Sequence, residues 1–243
     1  MKAMLTENKI IGELVAEDYR TAQIFKNHKI DFCCQGNRSI AAVCETENLD
    51  KNSLLDEIKS VQNQTSSSTT DYQSWPLDLL ADYIEKKHHR YAEKQIPVIR
   101  EYLAKICQVH GDHHPELLEI SKNFTASSGE LAMHMKKEEL ILFPLMRKMV
   151  KEHENGGKID PASFGSVSAP IQKMMSEHET EGERFREIAK LSNDYTAPAD
   201  ACNTYRVAFG LLKEYETDLH LHIHLENNIL FPKSMSMEKE LSA

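Results

Sequence analysis

Apolar residues recur at helical spacing along most of the chain, in two regions that a polar stretch separates. In the first region, Ile11, Leu14 and Val15 show the spacing of one short helix, and similar short groups follow. In the second region the pattern runs for longer between breaks at glycine and proline. The helices predicted there cover residues 76–106, 117–150, 167–192 and 200–232. Four helices of similar length with short loops predict an all-α fold with an antiparallel four-helix bundle.

The polar stretch divides the chain into two expected domains. Residues 62–71, QNQTSSSTTD, contain no apolar side chain that could join a core. We therefore expect a small helical N-terminal domain at 1–60, a linker at 61–74 and the helical bundle at 75–236. Three of the five cysteines precede the linker, whereas eleven of the twelve histidines follow it.

Composition and charge exclude several classes of protein. The 9 glycines and 8 prolines among 243 residues are few for a turn-rich β fold, and the net charge is −9. No basic patch stands out, and no apolar run approaches the roughly 20 residues of a membrane span, so neither nucleic acid nor membrane is an expected partner. The beginning of the chain lacks the apolar core of a secretory signal, and the cysteine count is odd. We expect a cytoplasmic protein.

An internal repeat carries the strongest chemical signal. The second predicted helix contains HMKKEELILFP at 134–144, and the fourth contains HIHLENNILFP at 222–232. Both follow the pattern H-x3-E-x2-I-L-F-P at a constant offset of 88 residues, which indicates a duplicated helix pair. A histidine and a glutamate four residues apart share one helix face, and here that face is the apolar stripe. These residues are His134, Glu138, His222 and Glu226.

The other two helices can each add one histidine to this face. His178 lies on the apolar stripe of the third helix, 44 residues from both His134 and His222. The first helix offers His88 or His89, between which periodicity does not decide, although the repeat offset slightly favours His89. A single motif of this kind is usually a solvated face or a histidine–glutamate ion pair. Two motifs at one offset, both facing a core, favour a metal site, because a buried glutamate is costly unless paired or metal-bound.

The number and type of these side chains indicate two metal ions. Four histidines and two glutamates exceed what one tetrahedral zinc site needs. They suit two octahedral metals, each with two histidines, bridged by the two carboxylates. Mixed nitrogen and oxygen ligands with open positions favour iron, with manganese as the alternative.

The pattern resembles the hemerythrin-like domain, and more closely the RIC (repair of iron centres, ScdA/YtfE-type) family of iron–sulfur cluster repair proteins. The two repeat copies, the run SEHE at 176–179 and the run IDFCCQG at 30–36 carry this resemblance. In the family the first ligand lies thirteen residues after one proline and eight before another, and Pro76 and Pro97 place it at His89. The resemblance implies a non-haem di-iron centre with bridging glutamates. Its implied ligands are His89, His134, Glu138, His178, His222 and Glu226.

The resemblance also implies a function. The family restores iron–sulfur clusters damaged by nitric oxide or oxidants, so we expect a di-iron protein with this repair function. Supply of iron to the clusters, reduction of nitric oxide, or both are the activities that the resemblance leaves open. The alternative is a hemerythrin-like protein that binds or senses O2 or nitric oxide. Expected partners are damaged iron–sulfur proteins, the small ligands nitric oxide and O2, and a second copy of the chain in a homodimer.

The cysteines divide into an adjacent pair and three isolated residues. Cys33 and Cys34 are candidate catalytic residues, because adjacent cysteines rarely form a disulfide without strain and thiolates can exchange electrons or iron. The plainer interpretation is two small buried side chains. Gln35 stands where the family usually has glycine, which bears on the geometry of this loop. Cys44, Cys107 and Cys202 carry no motif and are interpreted as packing residues.

Other polar residues near these motifs have simpler interpretations. His110, His113 and His114 fall in a predicted loop and are interpreted as solvated. Glu130 and Glu177 lie near proposed ligands, where they could carry protons or iron, although exposed carboxylates are the simpler interpretation.

Overall fold

The computed structural model describes residues 5–63, 70–159 and 165–242. Most of these residues are helical. The helices are α1 (Ile11–Glu17), α2 (Thr21–Asn27), α3 (Ile40–Thr46), α4 (Lys51–Asn63), α5 (Leu77–Tyr83), α6 (Arg90–His110), α7 (Glu116–Lys137), α8 (Phe143–Glu154), α9 (Ser168–Leu191), α10 (Asn203–Leu225) and α11 (Phe231–Ser242). No strand forms within the described ranges, where the one β interaction is an isolated antiparallel bridge between Ile10 and Ser39. The predicted all-α class is confirmed.

Three helix junctions are π-helical turns. They cover Ile84–His89 between α5 and α6, Glu138–Leu142 between α7 and α8, and Glu226–Leu230 between α10 and α11. The chain is therefore continuously helical over 77–110, 116–154 and 203–242. The predicted end of the fourth helix at 232 is wrong, because Pro232 lies in the first turn of α11, where its missing N–H is tolerated.

The chain forms two compact units. One comprises Met1–Pro76 with Ile223–Lys233, and the other comprises Leu77–His222 with Ser234–Ala243. Within the expected linker, α4 continues to Asn63, a 3-10 turn covers Tyr72–Ser74, and residues 64–69 lie outside the described part of the chain. The domain limits expected from the sequence remain a prediction.

The larger unit is a bundle whose helices bury one apolar stripe each. α7 packs against both α6 and α9, and α5 packs against α8. The short connection at 111–115 lets α6 and α7 lie antiparallel. Each fully buried aliphatic or aromatic side chain stabilises the fold by about 2 kcal/mol. The buried stripes include Ala92, Ile99, Leu103 and Ile106 in α6, Leu117, Ile120, Phe124 and Leu131 in α7, Ile171, Met174, Phe185 and Ile188 in α9, and Tyr205, Phe209, Leu212 and Tyr215 in α10.

In the smaller unit, short helices surround a small apolar core. α2 packs against α1 and α4, and α3 packs against α4. Ile11, Phe25 and Ile40 are completely buried there. The Ser39 hydroxyl accepts a hydrogen bond from the Ala42 N–H at 3.2 Å, which caps the start of α3.

None of the described helices combines the length and the apolar content that crossing a membrane requires.

Candidate metal centre

Two overlapping groups of histidine and glutamate side chains lie on the buried faces of the helices. One atom of each member lies within 4.8 Å of the others in its group. The groups are His89, Glu138, His222 and Glu226, and His134, Glu138, His178 and Glu226. Both glutamates belong to both groups, and each histidine belongs to one. All six side chains are at most 3% exposed, so water competes little with a bound ion.

The carboxylate of Glu138 contacts one histidine of each group. Its Oε2 lies 3.4 Å from Nε2 of His89, and its Oε1 lies 3.3 Å from Nε2 of His134. Nε2 of His134 also lies 3.0 Å from Nε2 of His178. An octahedral metal with metal–nitrogen bonds of about 2.1 Å separates neighbouring ligand atoms by about 3.0 Å. These separations are therefore compatible with ligands of a bound metal ion.

The π-helical turns place three of these side chains. His89 ends the first π turn, while Glu138 and Glu226 begin the second and third. Single π turns inside α-helices often mark functional sites. Sequence periodicity missed these turns, yet a signal exists in two of them. Pro144 and Pro232 each follow a π turn by two residues and cannot donate a hydrogen bond back into it.

Carboxylates outside the two groups contact two of the histidines within them. Nδ1 of His89 lies 3.1 Å from Oε1 of Glu139, and Nδ1 of His134 lies 2.9 Å from Oε2 of Glu177. A proton on Nδ1 leaves a lone pair on Nε2, the form in which histidine binds a metal. Burial raises the pKa of Glu177, but hydrogen bonds from Lys137 and His134 outweigh it and lower that pKa to about 2.

The sequence favours exposed carboxylates at both Glu130 and Glu177. The structure shows that the two side chains differ in exposure and in contacts. Glu130 is exposed and pairs with Arg184 at 2.6 Å. Glu177 is only 23% exposed and contacts His134. Glu139 was not singled out at all, because its partner His89 is fifty residues away in the chain.

The structure distinguishes His88 from His89, which the periodicity of the sequence does not. His89 belongs to one of the two groups, whereas His88 belongs to neither. His88 is completely buried, its Nδ1 lies 3.0 Å from Oδ2 of Asp218, and its ring stacks on that of His222 with centroids 5.6 Å apart. His88 therefore packs on one member of a group and belongs to neither group itself.

A third group of candidate ligands lies in the loop between α2 and α3. It consists of Asp31, Cys33 and Cys34. The two sulfurs are 3.7 Å apart and form no disulfide, as the sequence predicted. Asp31 Oδ1 accepts hydrogen bonds from the backbone N–H groups of Cys33 at 3.1 Å and Cys34 at 2.8 Å. The hydrogen bond with Cys34, together with burial, raises the pKa of Cys33 well above its ordinary value, so a metal bound there would displace a proton.

Two asparagines hold this loop within the smaller unit. Asn227 Nδ2 donates to the backbone oxygen of Cys33 at 3.1 Å, and Asn228 Nδ2 donates to that of Phe32 at 3.3 Å. Asn227 directly follows Glu226 in the chain. The cysteine loop is therefore fastened to the same helical segment that carries one shared glutamate, which no local pattern in the sequence indicated.

Comparison with known proteins gives matches along nearly the whole chain. The family model ScdA_N, described as a domain of unknown function (DUF542), matches residues 7–62, and the hemerythrin HHE cation binding domain matches residues 80–234. The iron-sulfur cluster repair protein ScdA of Staphylococcus epidermidis is 30% identical over 231 residues, which cover 95% of this chain and 99% of the relative. The iron-sulfur cluster repair protein YtfE of Yersinia pseudotuberculosis is 33% identical over 232 residues, covering 95% and 98%. YtfE of Yersinia pestis is 32% identical over the same length.

Proposed function

This chain belongs to the family of iron–sulfur cluster repair proteins that includes ScdA and YtfE, and we propose that it restores iron–sulfur clusters damaged by nitric oxide or oxidants in the cytoplasm. The similarity covers both the N-terminal domain and the hemerythrin-like domain, so it supports a shared activity of the whole chain. The observation that carries the proposal is the pair of overlapping histidine and glutamate groups in the bundle.

We propose that these groups hold two irons. Each iron would take two histidines, and the carboxylates of Glu138 and Glu226 would bridge the pair. A donor set of imidazole and carboxylate with open positions suits non-haem iron better than structural zinc, which takes four ligands in a closed tetrahedron. The six ligands proposed from the sequence are the members of the two groups.

The chain's own residues would hold the irons and control their release. Glu139 and Glu177 keep the Nδ1 proton on His89 and His134, so that Nε2 remains available to the metal. Emptying the centre leaves buried carboxylates without their cation, which is unfavourable unless protons replace it. Iron release is therefore expected to take up protons and to become easier as the pH falls. When bound, the irons supply both the cargo for a damaged cluster and a redox-active site for small ligands.

Nitric oxide reduction at the same centre is a further part of the proposal. The alternative function is binding or sensing of O2 or nitric oxide, as in hemerythrin-like proteins. The loop with Asp31, Cys33 and Cys34 favours repair, because a carrier of a diatomic gas needs no thiol pair. Thiolates can accept iron or exchange with a cluster, which suits delivery to a client protein.

The direct test is reactivation of an iron–sulfur enzyme inactivated by nitric oxide. Purified iron-replete protein should contain two irons per chain and restore the enzyme, whereas metal-free protein should restore little. An equal amount of ferrous salt controls for iron that has dissociated into solution. Fewer than one iron per chain after full loading would contradict the di-iron centre, and restoration no better than that with ferrous salt would contradict the repair function.

Replacing the two adjacent histidines separately tests the ligand set. We expect His89→Ala to lose most of the iron, because His89 Nε2 lies beside Glu138, whereas His88→Ala should keep the iron. Both side chains are completely buried, so both variants are expected to be destabilised and thermal unfolding alone cannot distinguish them. Iron per chain and the visible spectrum of the oxidised protein are the measurements. Loss of iron in His88→Ala with retention in His89→Ala would reverse the assignment.

A further inference from the structure

A second cluster of reactive side chains lies away from the candidate metal centre, where α6 ends and α10 begins. His110 is the last residue of α6, and Cys202 directly precedes α10. Nε2 of His110 lies 3.2 Å from Sγ of Cys202. Cys202 is solvent-exposed, so its interpretation as a packing residue is wrong. The chain thus holds a thiol and an imidazole in hydrogen-bond contact at the surface.

Neighbouring aromatic rings fix the orientation of this imidazole. The ring of His110 meets the ring of Tyr205 edge-on with centroids 5.4 Å apart, and Tyr205 itself is only 1% exposed. Tyr205 also contacts His114, whose ring nitrogens lie 2.9 Å from Glu116 and 3.2 Å from Asp200. The predicted solvated loop is therefore partly ordered by ion pairs.

The charges around the thiol favour its ionised form. The hydrogen bond from His110 is the largest cause, and backbone N–H groups of Tyr205 and Thr204 in the first turn of α10 add to it, lowering the pKa of Cys202 to about 7. Asp200 and Glu116 face the neighbouring His114, which balances their charge. About half of the Cys202 side chains are then thiolate at pH 7, compared with about 1% for a thiol of pKa 9.

The other cysteines with a shifted pKa have a raised pKa, in contrast to Cys202. Burial raises the pKa of Cys44 and of Cys107, and a hydrogen bond with Cys34 raises that of Cys33. A thiol that is exposed, ionised and oriented by a histidine meets the physical requirements for a nucleophile.

We propose that Cys202 and His110 form a reactive thiolate–imidazole pair that is modified by low-molecular-weight disulfides. The Cys202 thiolate would attack one sulfur of the disulfide and form a mixed disulfide with it. The original sulfur–sulfur bond breaks, and the second sulfur leaves as a thiolate that takes a proton from water. Cys202 is oxidised and the departing thiol is reduced, so no further oxidant is needed.

This site is independent of the proposed repair function. It contains none of the six proposed iron ligands, and neither of the candidate thiols in the N-terminal loop. Failure of one proposal therefore leaves the other unaffected.

The test measures how fast oxidised glutathione modifies each cysteine of the full-length protein, by peptide mass spectrometry at several pH values. Cys202 should react first, with an apparent pKa near 7. In His110→Gln the apparent pKa should move toward the ordinary value of 9.0. The thiolate fraction at pH 7 then falls about fiftyfold, but the more basic thiolate is about six to ten times more nucleophilic, so the rate should fall about five- to eightfold.

The pH profile separates a chemical role of His110 from a structural one. At pH 10 both forms are ionised, and His110→Gln should react as fast as the unmodified protein or faster. The matched control is His113→Gln, in the turn that directly follows α6, which should keep the normal profile. Modification of another cysteine before Cys202, or an unchanged profile in His110→Gln, would overturn the proposal. Equal far-UV circular dichroism spectra and melting temperatures show that each variant is folded.

Discussion

Glu138→Leu is expected to lower bound iron from two ions per chain to fewer than one. Its two carboxylate oxygens lie 3.3 and 3.4 Å from histidines of different groups, so one substitution removes a ligand from both proposed metal positions. Leucine has a similar size but no donor atom. Iron quantification after reconstitution under anaerobic conditions measures this loss directly.

The matched control for this substitution is Glu179→Leu. Glu179 directly follows His178 but is exposed and belongs to neither ligand group, so its replacement should leave two irons in place. Thermal unfolding gives a second measurement, because a ligand that binds only the folded state stabilises it. Iron should raise the melting temperature of the control strongly and that of Glu138→Leu only slightly. Two tightly held irons in Glu138→Leu would refute the bridging role.

The helices and most of their buried faces were predictable, because a repeat of 3.6 residues is visible in a single sequence. His134, His178 and His222 are buried on the stripes that periodicity indicated. The π turns were not predictable in this way, because one extra residue in a turn leaves the pattern on either side intact.

The histidines and glutamates of the two groups were predictable from the sequence. The carboxylates that contact these histidines from other helices were not. The duplicated motif places His134 four residues before Glu138, and that spacing alone indicates a shared helix face. The contacts of Glu139 with His89 and of Glu177 with His134 join different helices, so their geometry depends on how the helices pack. The same holds for Cys202 and His110, which are 92 residues apart.

The double variant Cys33→Ser/Cys34→Ser is expected to keep two irons and to lose most of its ability to reactivate a damaged iron–sulfur enzyme. None of the six proposed iron ligands is a cysteine, so iron binding has no reason to change. Transfer of iron or cluster fragments to a client requires a thiolate, which serine cannot supply at neutral pH. Reactivation after nitric oxide treatment, compared at equal iron loading, measures the loss.

Point variants test this role more sharply than removal of the N-terminal residues. Ile223–Lys233 belongs to the same compact unit as Met1–Pro76, and the ring of His224 lies 5.9 Å from that of Phe32. Truncation would expose this segment, which carries Glu226, and iron loss would then obscure any effect of the missing thiols. Cys44→Ser is the matched control, since Cys44 is also buried in the N-terminal part but belongs to no ligand group. If the double variant restores the enzyme as fully as Cys44→Ser does, the thiol pair is structural and the bundle alone performs the repair.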